Sequence, residues 1–151
     1  MSFQVLGTAH TGITVVDLER SLSFWRDVLG LKVVMRDEVA GEALEEITGV
    51  RGGAMSFAIL EVPGGGGQIE LLEYTEPADR QHLRPRPFDV GSMHVALFVD
   101  DIEAVPRDCA AAGWRGHGAP RIRQEGPAKG IIFQYTSDPD GTIVELVQAA
   151  S

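Results

Sequence analysis

Two histidines and two glutamates occupy corresponding places in two similar stretches of this sequence, and all four side chains can bind a metal. His10 begins the stretch HTGITVVDLE and His94 begins the stretch HVALFVDDIE, so each histidine lies seven residues before an aspartate. Each half then closes with an apolar segment that contains one glutamate, IELL around Glu70 and VELV around Glu145. Two imidazoles and two carboxylates suit a divalent ion of intermediate softness. The sequence therefore predicts a metal site with these four side chains as ligands.

The alternation of side chains along a strand predicts which way these residues face. Ile13 and Val15 can pack on the helix that follows them, which turns His10 to the opposite face of the strand. The apolar neighbours of Glu145 leave its carboxylate on the face opposite the helix in the same way. The same alternation places His94 and Glu70 on that face of their strands. A single such residue is commonly structural, but an unpaired carboxylate is costly to bury. The same arrangement recurs in both halves, which favours the interpretation of these four residues as metal ligands. The ligands would line a common trough if the two halves form one curved sheet.

The elements that position these residues can be predicted from local patterns. Residues 8–16 alternate as a strand does, and Asp17 is a suitable N-cap for a helix that ends at Gly30. The second half repeats this pattern up to Gly113, although Pro106 predicts that its helix begins late or bends. Further strands are expected at 32–36, 54–62, 67–74, 131–136 and 142–148, with a hairpin turn at 64–67.

We expect the chain to form one domain over 1–151, made of two modules and a linker. The first module covers about 5–75, a Pro- and Arg-rich linker about 76–91, and the second module about 92–149. Residues 37–53 contain a short helical pattern that could act as a lid or be a passive surface excursion. The linker arginines Arg80, Arg84 and Arg86 could bind an acidic part of a substrate, but a solvated linker is the interpretation we favour.

Composition excludes several classes of partner. The 151 residues include 44% hydrophobic and 23% charged residues, and the net charge is −9. A negative surface repels nucleic acid and anionic lipid, so we expect a small-molecule substrate, with neither nucleic acid nor membrane as a partner. No apolar run approaches the ~20 residues of a membrane helix, and the first residues do not resemble a signal peptide. The single cysteine, Cys109, fits a cytoplasmic protein.

These segments resemble the vicinal oxygen chelate superfamily, which includes glyoxalases, bleomycin resistance proteins and extradiol dioxygenases. The resemblance rests on AHTGITVVDLERSLSFWRDVLGL, GQIELLEY, SMHVALFVDDIEA and SDPDGTIVELVQ. It implies an α+β fold in which two paired βαβββ modules form a cupped mixed sheet around a metal site. It also implies a homodimer and one divalent ion per chain (Zn, Ni, Co, Mn or Fe). The positions that match the family's ligands are His10, Glu70, His94 and Glu145.

The four-ligand set is similar to that of glyoxalase I and of methylmalonyl-CoA epimerase-like members. The resemblance therefore implies a lyase or isomerase that moves a proton on a small carbonyl or thioester substrate through a metal-bound enediolate, with Glu145 as the base. Two alternatives remain: an extradiol-type ring-cleaving dioxygenase, and a binding protein without catalysis. Thr14 and Tyr74 stand where glutathione-dependent lyases often carry Arg and Asn, which argues against glutathione. Residues 54–60 also lack the second acidic base of some epimerases.

Overall fold

The computed structural model describes residues 3–138 and 140–150 of the chain. The chain divides into two compact units, Met1–Gln81 and His82–Ser151. Each unit contains one β-sheet with both parallel and antiparallel strand pairs, so the predicted α+β class is confirmed. No helix in the described part of the chain has the length and apolar character that a membrane span requires.

The first unit contains a four-stranded sheet in the order β1-β4-β3-β2. Strand β1 runs parallel to β4, and the other neighbouring strands are antiparallel. The elements are β1 (Thr11–Thr14), α1 (Leu18–Trp25), β2 (Lys32–Ala40), α2 (Glu42–Thr48), β3 (Ala54–Glu61) and β4 (Gln68–Glu76).

The second unit repeats this plan with the strand order β5-β9-β8-β6, and β7 pairs with β8. Strand β5 again runs parallel to the last strand, β9. The elements are β5 (Val95–Phe98), α3 (Val105–Ala111), β6 (Arg115–Gly116), β7 (Arg121–Ile122), β8 (Ile132–Ser137) and β9 (Ile143–Gln148).

Three features of the elements depart from or refine the sequence expectation. Strand β2 continues to Ala40 because its second half pairs with β3, so the insertion contributes a helix of only seven residues. Strands β6 and β7 were not predicted, since two residues are too few to show alternation. Helix α3 begins late, with Pro106 in its first turn, as predicted. Proline is tolerated there because the first amides of a helix have no partner inside the helix.

Helix α1 forms for the reasons that its sequence indicates. The Asp17 carboxylate accepts a hydrogen bond from the amide of Arg20 at 2.9 Å and so caps the first turn. Leu18, Leu22 and Trp25 lie on one stripe of the helix and are at most 3% exposed. This stripe packs against the face of the sheet whose buried side chains come from β3 and β4, namely Ala58, Leu60, Ile69 and Leu71.

The start of each helical segment is tied to the strand that carries the site glutamate. In the first unit the Leu18 amide donates to Glu73 Oε2 at 2.8 Å, and in the second the Ile102 amide donates to Gln148 Oε1 at 2.9 Å. Glu73 and Gln148 each lie three residues after the site glutamate and therefore on the opposite, helix-covered face of their strand. These matched bonds fix the strands β4 and β9 against the helical side, so the site glutamates face away from it.

Candidate functional site

In the first unit, the register of two parallel strands brings His10 and Glu70 together. Gly12 of β1 is in register with Glu70 of β4, and His10 lies two residues before Gly12, on the same face. His10 Nε2 is 3.0 Å from Glu70 Oε2, and the two side chains are 40% and 15% exposed. The pair is therefore within reach of solvent, while Ile69 and Leu71 on either side of the glutamate are buried.

The second unit repeats this arrangement. Ala96 of β5 is in register with Glu145 of β9, and His94 again lies two residues earlier. His94 Nε2 is 3.2 Å from Glu145 Oε2, with the two side chains 42% and 16% exposed. The residues that the sequence singled out are thus brought together as two equivalent pairs. Within residues 3–138 and 140–150, no three His, Cys, Asp or Glu side chains form a group that could hold a metal.

The geometry within each pair fits a divalent ion. Two donors at neighbouring positions of an octahedral ion, each about 2.1 Å from it, lie about 3.0 Å apart. The donor separations of 3.0 Å and 3.2 Å are compatible with this spacing, and they equally suit a direct His–Glu hydrogen bond. On the parallel-strand side, the residues in register with the glutamates are the small Gly12 and Ala96, and a Cβ at Gly12 would lie 3.7 Å from Glu70 Oε2. Each carboxylate therefore has a small neighbour on that side of its strand.

Tyr135 distinguishes the second pair from the first, and the sequence analysis did not single it out. It lies on β8 in register with Glu145, and its hydroxyl is 3.4 Å from His94 Nε2. Its ring meets the His94 ring edge-on, with 5.1 Å between the centroids. Burial, followed by the negative charge of Glu145, raises the pKa of Tyr135. The corresponding partner of Glu70 on β3 is Ile59, so the first pair has no such hydroxyl in register with it.

A pocket of about 410 Å³ adjoins Glu145. Its other lining residues are Arg123, Pro127, Ala128 and Phe133, so one carboxylate and one guanidinium border an otherwise apolar surface. Phe133 lies on β8 two residues before Tyr135 and on the same face. This pocket could hold the carbon skeleton of a small substrate beside the carboxylate.

The two positions that argued against glutathione lie on the site face of the first unit. Thr14 is two residues from Gly12 on β1 and is exposed, and Tyr74 lies on β4 four residues after Glu70. Alternation places both on the same sheet face as the His10–Glu70 pair. Neither side chain carries a charge, so these two positions offer no cation to a carboxylate of a ligand.

The fold and the paired side chains define a protein built from two repeats of one βαβββ unit, each with a His–Glu pair on its open sheet face. A family model described as the Glyoxalase/Bleomycin resistance protein/Dioxygenase superfamily matches residues 7–146. The chain belongs to this superfamily, as its sequence resemblance indicated.

Relatives and solved structures agree with this assignment. A 2-epi-5-epi-valiolone epimerase from Actinomyces is 30% identical over 141 residues, covering 91% of this chain and 76% of the relative. A lactoylglutathione lyase from Haemophilus influenzae is 30% identical over 146 residues, covering 94% and 92%. The crystal structure of a glyoxalase family protein from Bacillus cereus superposes with a TM-score of 0.86 at 22% identity, covering 99% of this chain and 98% of the other. The similar sequences thus include a lyase and an epimerase.

Proposed function

We propose that the chain is a divalent-metal-dependent lyase or isomerase that moves a proton on a carbon beside a carbonyl or thioester group. The observation that carries this proposal is the pair of equivalent His–Glu contacts, at 3.0 Å and 3.2 Å, on the open faces of two equivalent sheets. Relatives named as a lyase and an epimerase support the same class of reaction.

The proposed ligands of the ion are His10 and Glu70 from one pair, and His94 and Glu145 from the other. Two carboxylates neutralise the charge of a divalent ion, and two imidazoles suit Zn, Ni, Co, Mn or Fe. When bound, the ion supplies Lewis acidity to a carbonyl oxygen and thereby makes the neighbouring C–H more acidic. An ion held by these four side chains would also be able to accept oxygen atoms of a substrate.

Glu145 is the proposed base. Its carboxylate borders the 410 Å³ pocket, where a substrate carbon can approach it, and it is 16% exposed. The Tyr135 ring contacts the His94 ring edge-on. Phe133 and the other apolar residues of the pocket limit the access of water to the carbon that loses its proton.

The proposed substrate is a small carbonyl compound or thioester with two vicinal oxygens, because two neighbouring oxygens could chelate a divalent ion held by these residues. A glutathione conjugate is disfavoured as the substrate, since Thr14 and Tyr74 present no positive charge on the first unit's site face. We also propose that the protein is a cytoplasmic homodimer. Exposed apolar side chains such as Phe98 (79%) and Met93 (75%) favour association, and light scattering should then give twice the chain mass of 16.3 kDa.

The test of this function is a screen for solvent-deuterium exchange. The metal-loaded protein is incubated in D₂O with α-hydroxy carbonyls, hemithioacetals and acyl-CoA thioesters, and exchange is followed by NMR. This assay detects proton abstraction even when substrate and product are the same compound. We expect exchange in at least one class of compound, and its loss in Glu145→Gln.

His82→Ala is the matched control, because His82 is an exposed histidine outside both pairs. It should exchange at the wild-type rate. Oxygen uptake with a catechol and ferrous ion, without deuterium exchange, would instead identify a dioxygenase. Tight binding of a compound with neither turnover nor metal would identify a binding protein. Full exchange activity in Glu145→Gln would refute the assignment of the base.

A further inference from the structure

A second, larger pocket in the second unit collects positive charge on a chain whose net charge is −9. Its volume is about 710 Å³, and we call it the arginine pocket after three of its lining residues, Arg84, Arg86 and Arg115. His117 also lines it, and His117 Nε2 is 2.8 Å from Ser137 Oγ. Two of the arginines come from the Pro-rich segment that sequence alone presented as a solvated linker. Both arginines are exposed, as a solvated linker predicts, and both also line one pocket with Arg115 of β6.

Two of the three guanidinium groups are available to a ligand. Arg86 is already engaged, since its Nη2 lies 2.6 Å from Asp89 Oδ1 and its guanidinium lies 4.4 Å from the centre of the Phe88 ring. Within the described residues, neither Arg84 nor Arg115 forms an ion pair. Guanidinium groups bind oxyanions such as phosphate through two parallel hydrogen bonds.

Three acidic residues lie near the pocket, and one of them, Asp140, adds negative charge beside Asp138 in the β8–β9 turn. Asp89 is paired with Arg86, and Asp138 is only 8% exposed. Asp138 Oδ1 accepts the Thr142 amide at 2.8 Å, which directs this carboxylate into the β8–β9 turn. Within the described residues, neither Asp89 nor Asp138 forms an ion pair with Arg84 or Arg115.

The backbone holds the arginine-bearing segment in place. Gly141, in the β8–β9 turn, has a φ of +95°, and a Cβ there would lie 3.3 Å from both Arg84 Cα and Leu83 O. Glycine permits both this left-handed conformation and the close approach of the segment. Arg84 is therefore positioned by packing against the turn.

The arginine pocket lies on the same sheet face as Glu145. Ser137 and Ile143, which line it, are in register two residues beyond the Tyr135–Glu145 pair. Two residues along a strand correspond to roughly 7 Å. We propose that the arginine pocket binds a phosphate-type oxyanion carried by the substrate, whose reacting carbon lies at Glu145. This inference rests on the proposed function for the reacting end, but the anion site can be tested without it.

The first experiment titrates metal-free protein with inorganic phosphate at constant ionic strength and follows backbone amides by ¹H–¹⁵N NMR. We expect saturable shifts at Arg115, His117 and Gly141. The double variant Arg84→Gln/Arg115→Gln should bind phosphate about tenfold or more weakly, as expected when two charge-assisted hydrogen-bonding groups are lost. Arg121→Gln is the matched control, because Arg121 is an exposed arginine of β7 outside the pocket, and it should bind as the wild type does.

The second experiment compares dihydroxyacetone phosphate with dihydroxyacetone, which share vicinal oxygens and differ in the phosphate. The metal-loaded protein should bind the phosphorylated compound at least about tenfold more tightly, and the double variant should lose this preference. No saturable phosphate binding, or equal affinity in the double variant, would refute the anion site. Binding of free phosphate without a preference for the phosphorylated compound would show that the oxyanion is not part of the substrate, which also overturns the proposal. Phosphate-dependent binding without proton exchange on any compound would refute only the proposed function.

Discussion

Replacing either site glutamate by glutamine should weaken metal binding while leaving the fold intact. Glu70→Gln and Glu145→Gln keep the shape of the side chain but remove its negative charge. Glutamine has nearly the same size as glutamate, and each position has a small neighbour, Gly12 or Ala96, on the parallel strand, so the substitution requires no repacking. The metal-free variants should therefore unfold within a few degrees of the wild type.

The size of the effect follows from the ligand geometry. In the proposed ligand set each glutamate would supply one of two anionic donors, at 3.0 Å or 3.2 Å from its histidine. Loss of partners that merely orient ligands weakens metal affinity about 10- to 100-fold, so loss of a ligand should cost at least about 100-fold, or about 2.7 kcal/mol. In excess metal this free energy is lost from the stability of the folded state. For a chain of this size, the metal should then raise the Tm of the variant by about 5–10 °C less than it raises the Tm of the wild type.

The assay is thermal unfolding with and without whichever of Zn, Ni, Co, Mn or Fe raises the wild-type Tm most. Glu73→Gln is the matched control, because Gln148 occupies the equivalent position in the second unit and accepts the same type of helix-capping hydrogen bond. This control should keep the full metal-induced rise in Tm. If Glu70→Gln and Glu145→Gln also keep it, neither glutamate is a ligand.

Two further predictions concern Tyr135 and Cys109. Tyr135→Phe should change the ¹⁵N chemical shifts of the His94 ring and leave those of His10 unchanged, because the tyrosine hydroxyl lies 3.4 Å from His94 Nε2; equal changes at both rings would contradict this positioning role. Burial raises the pKa of the Cys109 thiol from 9.0 to about 11, so the folded state keeps its proton longer than the unfolded state and stability is lost as the pH rises from 9 through 11. By pH 11 this loss is about 2 kcal/mol, and Cys109→Ala should show a correspondingly smaller fall in urea-unfolding free energy between pH 8 and pH 11.

The scaffold of the site was predictable because it depends on local patterns that occur twice. The Asp17 cap, the apolar stripe of α1 and the alternation around the site glutamates each have a direct physical meaning in the sequence. The parallel register of β1 with β4 recurs between β5 and β9. Each histidine therefore meets the glutamate that the repeat assigns to it.

Other contacts could not be predicted because they depend on the exact register of a strand pair or on how a loop segment packs. Tyr135 is ten residues from Glu145 in sequence, and only the β8–β9 register places it against the His94–Glu145 pair. Arg84 reaches the pocket that Arg115 lines because a linker-like segment packs on Gly141, and no hydrophobic periodicity indicates that contact. Charge in a Pro-rich segment is compatible with a solvated linker and with a pocket wall, and the exposed Arg84 and Arg86 fit both descriptions.

The two units share one scaffold, but the side chains and pockets on their site faces differ. Both carry the same His–Glu pair, and both tie the strand that holds the glutamate to the start of a helical segment. Only in the second unit does a tyrosine lie in register with the glutamate, where the first has Ile59. The pocket beside Glu145 and the arginine pocket also belong to the second unit. Metal binding would need only the His–Glu pair that the two units share, whereas a base also needs a substrate beside it. This asymmetry therefore favours Glu145 over Glu70 as the carboxylate that moves the proton.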